Sequence, residues 1–87
     1  MTQPEILAHV QKLMVELFEL SPAQVTPEAH LVNDLDLDSL DAVDMAVKLE
    51  ELTGHRVDEA ALRSVRTVGD VVALVDTILN PRAPEPS

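Results

Sequence analysis

The chain contains no cysteine, no tryptophan and no tyrosine, and Phe18 is its one aromatic residue. Without cysteine there is no disulfide framework and no thiolate site. Positive charge is scarce as well: six Lys and Arg stand against sixteen Asp and Glu, a formal net charge of −10. That balance excludes nucleic acid as a partner, because counterion release from phosphates needs Lys and Arg, and it favours basic partners instead. No segment has the length or continuity of a signal peptide or a membrane span, so the expected compartment is the cytoplasm. What is abundant is aliphatic: 46% of the residues are hydrophobic, and with almost no aromatics the core must be built from Leu, Val, Ile, Met and Ala, which suit helix packing. A chain of 87 residues forms one small domain that buries roughly 60–65% of the surface its unfolded form exposes.

Apolar periodicity divides the chain. From Thr2 to Glu19, the residues Ile6, Leu7, Val10, Leu13, Met14, Leu17 and Phe18 recur at helical spacing. Thr2 and Glu5 form a capping-box pair, and Pro4 is tolerated in the first turn. Ser21-Pro22 and Thr26-Pro27 then open a long connection up to Asp38, since a residue before proline is pushed out of the helical region. Leu31 and Leu35 are its expected anchors. A second helix is predicted over Ser39 to Thr53, capped by Asp38 or Ser39 and stopped by Gly54. Asp58 to Ser64 fits one or two turns, with Leu62 and Val65 turned inward. The last helix is predicted over Thr67 to Leu79, with Thr67 as cap and Asp70 three residues on. Its valines favour strands, but no partner strand exists elsewhere in the chain. The sketch is an all-α four-helix bundle, three longer helices and one short, with a long first loop. The tail 81–87, "PRAPEPS", carries three prolines and is expected to be extended and disordered.

The stretch "NDLDLDSLDAVDM" sets one serine among five aspartates. Asp34, Asp36 and Asp38 match the opening of an EF-hand calcium loop, but the sixth position needs Gly and the twelfth a bidentate Glu, where this chain has Ser39 and Met45. A nucleophilic Ser39 would need a base and an oxyanion hole. His9, His30 and His55 lie in no recognisable constellation, and the G-x-S-x-G elbow is missing. The second helix carries two apolar arcs. Ala42, Met45, Ala46, Leu49 and Leu52 form the core face, while Leu40, Val43 and Val47 lie roughly 150° away, rimmed by Asp44, Glu50 and Glu51. A domain this small cannot cover both faces of one helix, so the second arc is expected to be a docking stripe.

"DSLD", Asp38-Ser39-Leu40-Asp41, at the start of an acidic second helix after a long loop resembles the acyl carrier proteins of bacterial fatty-acid and polyketide-type synthesis. The likeness runs from the first helix through "VTPEAHLVNDLDLDSLD" to "RTVGDVV" and defines a carrier domain over 1–80. It implies that a phosphopantetheinyl transferase attaches 4′-phosphopantetheine from coenzyme A to Ser39, whose arm then carries acyl chains as thioesters. The chain itself would be a non-catalytic carrier, monomeric when free. By the same resemblance, Asp38, Leu40, Asp41, Val43, Asp44, Val47, Glu50 and Glu51 would dock on basic, apolar patches of ketosynthase, ketoreductase, dehydratase and acyltransferase-type enzymes. "DLDLDSLDAVD" and "RTVGDVV" are also similar to carriers of aryl polyene-type synthesis. Many members of the family have glycine where this chain has Asp36. The reading of a different class is an acidic helical module, calcium-binding or protein-binding, without a prosthetic group. Arg63 and Arg66 stand out against the acidic background; surface solvation is the expected role of each, and contact with the loop or a cargo the alternative.

Overall fold

Each helix begins at a side chain that satisfies backbone N–H groups the helix itself leaves unpaired. The computed structural model describes residues 2–80, apart from the side chain of Glu59. Helix α1, Gln3–Phe18, starts at Thr2, whose Oγ1 accepts from the Glu5 N–H while Glu5 Oε1 accepts from the Thr2 N–H. Helix α2, Ser39–Thr53, starts at Asp38. Helix α3, Glu59–Ser64, starts at Asp58, which accepts from the Ala60 N–H at 2.9 Å. Helix α4, Val68–Leu79, starts at Thr67, again with a reciprocal box to Asp70. These bounds match the periodicity and cap signals of the sequence to within a residue. Gly54 ends α2 in the left-handed region, φ 71°, with its N–H donating to the Glu50 carbonyl at 2.8 Å.

The three longer helices pack on one another, and α3 closes the bundle against α2 and α4. Ile6, Val10 and Met14 form the buried row of α1, Met45, Ala46 and Leu49 that of α2, and Val68, Val71, Val72 and Val75 that of α4. Helix, not strand, is thus the fate of the valine-rich segment; burial against neighbouring helices overrides valine's strand preference.

The long connection between α1 and α2 supplies core as well. Leu31 and Leu35 are buried as expected, and so are Val25, Ala29 and Leu37. A short 3₁₀ turn, Pro22–Gln24, breaks it, and Gln11 Nε2 donates to the Val25 carbonyl at 2.7 Å. The chain then runs against the start of α4: Gly69 N–H to Pro27 O at 2.9 Å, Val68 N–H to Ala29 O at 3.0 Å and Leu31 N–H to Arg66 O at 2.8 Å. His30 and Thr67 form an isolated antiparallel bridge. The proline-rich tail predicted from the sequence lies outside the described residues.

Backbone N–H groups of Arg66 and Thr67 hold the Asp70 carboxyl below its ordinary value, and the Thr2 backbone does the same for Glu5. Because folding lowers this pKa, the contribution is full above the ordinary carboxylate value and is lost as pH falls through the lowered one. Asp70→Asn should therefore melt below wild type at neutral pH, with the gap closing as acid protonates the wild-type carboxyl; a gap independent of pH would contradict the assignment. Removing the cap itself, Thr67→Ala, should cost about 1 kcal/mol, read as a melting point lower by about 4–8 °C.

Candidate functional site at Ser39

The backbone ahead of α2 turns twice. Asp34 and Leu35 donate their N–H groups to the His30 carbonyl, at 2.9 and 3.1 Å, and Asp36 N–H reaches Val32 O at 3.1 Å. The turn is closed from its start by side chains: Asp34 Oδ2 accepts from the His30 N–H at 2.7 Å, and His30 Nδ1 accepts from the Asn33 N–H at 3.2 Å. Asp36 ends it with φ 56°, in the left-handed region. This is the arrangement Gly54 makes at the end of α2, an N–H donating four residues back from a left-handed residue. Aspartate tolerates it where glycine would be free of strain. Leu37 N–H then reaches back to Leu31 O at 3.0 Å, and the buried Leu35 and Leu37 pin either side of Asp36.

Asp38 is the cap. Its Oδ1 accepts from the N–H groups of Leu40 and Asp41, at 2.9 and 3.0 Å, and Asp41 Oδ2 accepts from the Asp38 N–H at 3.0 Å. Ser39, the first residue of α2, is exposed, and its hydroxyl makes no hydrogen bond among the described residues. Two of the three aspartates in the calcium-like pattern, Asp34 and Asp38, thus spend an oxygen on backbone N–H groups. Among the described residues, no three His, Asp or Glu side chains are grouped to hold a metal ion.

The remaining residues of the expected surface divide. Leu40 and Val47 are 76% and 50% exposed, and Asp44 and Glu51 face out as well. Val43 departs from the expected stripe and is half-buried. At 100° per residue it sits about 60° from Leu40 and about 60° from the buried Ala46, on the shoulder between the arcs. Glu50 is also half-buried, and its Oε1 accepts from the Val57 N–H at 3.1 Å, fastening the link between α2 and α3. Glu51 pairs with Lys48 at 3.4 Å, a solvent-exposed pair of little energetic weight. Sequence reasoning overlooked Val32, and weighed His30 only as a base. Val32 is 59% exposed, so the exposed large hydrophobics Val32, Leu40 and Val47 all belong to the loop and helix around Ser39; its signal is an apolar residue beside a buried one in a loop. His30 is half-buried and closes the turn, although its sequence context reads as a solvated surface residue.

Ser39 opens onto a cleft of about 370 Å³ between the loop, α2 and α3. Leu31, Leu37, Met45 and Leu62 form apolar walls, Val32 and Val65 its edges, and Asp38 and Arg63 bring charge. None of the three histidines lines it. A hydroxyl without a base cannot be a self-activated nucleophile, but it suits a covalent tether whose load rests on apolar walls.

An acidic helical domain that presents a free serine hydroxyl beside such a cleft has the build of a carrier that holds its cargo covalently. Residues 8–75 match the phosphopantetheine attachment site family, and the chain belongs to that family of acyl carriers. It is 53% identical over 79 residues to acyl carrier protein 2 of Ralstonia nicotianae, spanning 91% of this chain and 98% of the relative. It is 42% identical over 77 residues to the meromycolate extension acyl carrier protein of Mycolicibacterium smegmatis, spanning 88% and 78%. An acyl carrier protein of Rhodococcus erythropolis is 39% identical over 77 residues, spanning 88% and 85%. As a member, the chain serves fatty-acid or polyketide-type synthesis with a covalently attached 4′-phosphopantetheine. Among the described residues, no helix is long and apolar enough to cross a membrane.

Asp36→Gly removes both a left-handed aspartate and one charge from the crowd around Ser39. Its melting point should rise by up to about 5 °C at low salt, less whatever the added freedom of the unfolded chain takes back. The wild type should gain stability as sodium chloride is raised, because salt screens repulsion over a Debye length of about 8 Å at physiological strength, and the variant should gain less. Equal salt slopes for the two proteins would show that this loop carries no electrostatic strain.

Proposed function

We propose that Ser39 is the residue that bears the 4′-phosphopantetheine arm. The observation that carries this is its position: an exposed, unengaged hydroxyl between the Asp38 cap and the apolar cleft. In the loading step, catalysed by a phosphopantetheinyl transferase, Ser39 Oγ gives up its proton and bonds to the phosphorus that bears the pantetheine. The diphosphate bond of coenzyme A breaks, and adenosine 3′,5′-bisphosphate leaves. When bound, the group supplies a terminal thiol that carries acyl chains as thioesters. The chain's own residues then hold and present rather than catalyse: Leu31, Leu37, Met45 and Leu62 offer a water-poor wall to the cargo, and the caps at Asp38 and Asp41 keep Ser39 at the rim.

The exposed residues Val32, Leu40 and Val47, with Val43 at their edge and Asp44 and Glu51 beside them, form the surface we assign to partner enzymes. Asp38, Asp41 and Glu50 border it but are engaged with backbone N–H groups. Ketosynthase, ketoreductase, dehydratase and acyltransferase-type enzymes with basic, apolar docking patches fit it, with the free carrier a cytoplasmic monomer between visits. Aryl polyene-type synthesis, suggested by the sequence likeness, has a direct test: intact mass of the protein from its own cells, with and without thioester cleavage, reads the load.

Incubating the chain with coenzyme A and a broad-range transferase should add one arm, localised to Ser39 by fragmentation and absent in Ser39→Ala. An unmodified wild type with several transferases, or a modified alanine variant, would overturn the assignment and favour a module without a prosthetic group. For the docking surface, Val47→Glu should lower kcat/KM for transfer to a ketosynthase about tenfold, the scale of a moderate interface residue, while melting within about 4 °C of wild type. A large loss of stability would instead make Val47 part of the core.

A further inference from the structure

A phosphodiester at Ser39 would meet an unfavourable neighbourhood, and most of the usual remedy at a helix start is already spent. The chain's formal net charge is −10, and Asp38 lines the same cleft as Ser39. The N-terminus of a helix ordinarily receives an anion through its free N–H groups. In α2 those of Leu40 and Asp41 are bound to Asp38 Oδ1, and that of Ala42 donates to the Asp38 carbonyl at 3.1 Å. The capping carboxylate thus occupies two of the donors at the start of α2, leaving the N–H of Ser39 itself, and adds a like charge next to it. A cation has to come from elsewhere in the fold.

Arg63 is the one cationic residue lining this cleft among the described residues. It belongs to the last turn of α3, across the cleft from the start of α2, and it is exposed. Guanidinium is planar, always charged and matched to phosphate oxygens in a bidentate fork, which makes it the better residue for this task than lysine. Arg66, three residues on, is exposed too but lies outside the cleft lining and meets the loop through its backbone carbonyl.

We propose that Arg63 is the counter-ion of the phosphodiester formed at Ser39, a positioning residue that holds the root of the prosthetic arm over the apolar walls of the cleft. This rests on Ser39 being the attachment point. The consequence is a carrier whose arm is biased toward its own cleft by one ionic contact across it, released when a basic partner surface competes for the same phosphate or when salt screens it.

The test uses the full chain in apo and arm-loaded forms as wild type, Arg63→Gln, Arg63→Lys and Arg66→Gln, with the site of loading established first by fragmentation mass spectrometry. Loading at a residue other than Ser39, or none, removes both this proposal and the attachment assignment, and is seen before any further measurement. With Ser39 loaded, the proposal expects the ³¹P resonance of wild type to differ from that of Arg63→Gln, and to move toward it as sodium chloride is added. Arg63→Lys should fall between them, and Arg66→Gln should match wild type. The change in melting point on loading should be less favourable in Arg63→Gln than in wild type by about 2–5 °C at low salt. Coincident ³¹P resonances in wild type and Arg63→Gln, together with equal changes on loading, overturn the contact. An equal effect of Arg66→Gln also overturns it, because that is the signature of overall charge and not of a site. The salt titration of the wild type stands by itself if Arg63→Gln folds poorly.

Discussion

The pairing of the long first loop with the start of α4 is the constraint on which the rest of the structure depends. Val68 and Gly69 begin a helix, so their N–H groups have no partner within it, and the carbonyls of Ala29 and Pro27 supply one. The loop's own Leu31 N–H is satisfied in return by Arg66. One strip of backbone therefore settles the unpaired groups of both segments. It also fixes where the buried Leu31, Leu35 and Leu37 enter the core. The approach is close enough to favour glycine: a Cβ on Gly69 would come within 3.1 Å of the Pro27 carbonyl oxygen, so the loop backbone would have to shift by a few tenths of an ångström. Gly69, in the middle of "RTVGDVV", is thus kept for backbone contact, despite glycine's cost in a helix. Ser39 depends on this strip because the turn that delivers Asp38 is hung from its end, through the Leu37 N–H to Leu31 O.

Helix positions were legible because local chemistry alone fixes them. Thr2 and Thr67 were read as caps and are found as caps; of the two candidates for α2, Asp38 and Ser39, it is Asp38; and Asp58, read as the first residue of the short helix, caps it instead. The family was legible as well, through the likeness of "DSLD" and the segments around it, and the family match and the relatives show that family. What could not be read was anything that depends on separation in the chain. The bridge from His30 to Thr67 joins two segments with no strand pattern, and the role of Glu50 at the Val57 N–H needs the path of the turn after Gly54. Val43 was placed on the outer arc by angle alone, while its half-burial depends on how closely a neighbour approaches that shoulder. Asp36 was legible as a departure from the family's glycine; its left-handed backbone gives the physical reason.

The aspartates around Ser39 looked like one acidic cluster and are better described by their separate tasks. Asp34 closes the preceding turn, Asp38 caps α2 and Asp41 completes the box. Their charges still repel one another, so order here is obtained against an electrostatic cost that hydrogen bonds to backbone must exceed. The same residues therefore rigidify the approach to Ser39 and raise the local negative potential.

That division changes what a partner meets. If every carboxylate near Ser39 were free, basic residues on a partner would have many equivalent targets, and electrostatics would steer encounter without fixing register. With Asp38, Asp41 and Glu50 bound to backbone N–H groups, a partner that took any of them in a new ion pair would have to share or break a cap, a loss of the order of 1 kcal/mol. Asp44 remains outward-facing without such a duty, and Glu51 is held only by an exposed pair with Lys48. If this is the docking surface, as proposed above, register on it comes chiefly from shape: the spacing of Val32, Leu40 and Val47 around the serine. Charge supplies the approach, because long-range attraction accelerates encounter whether or not a given carboxylate is free to pair.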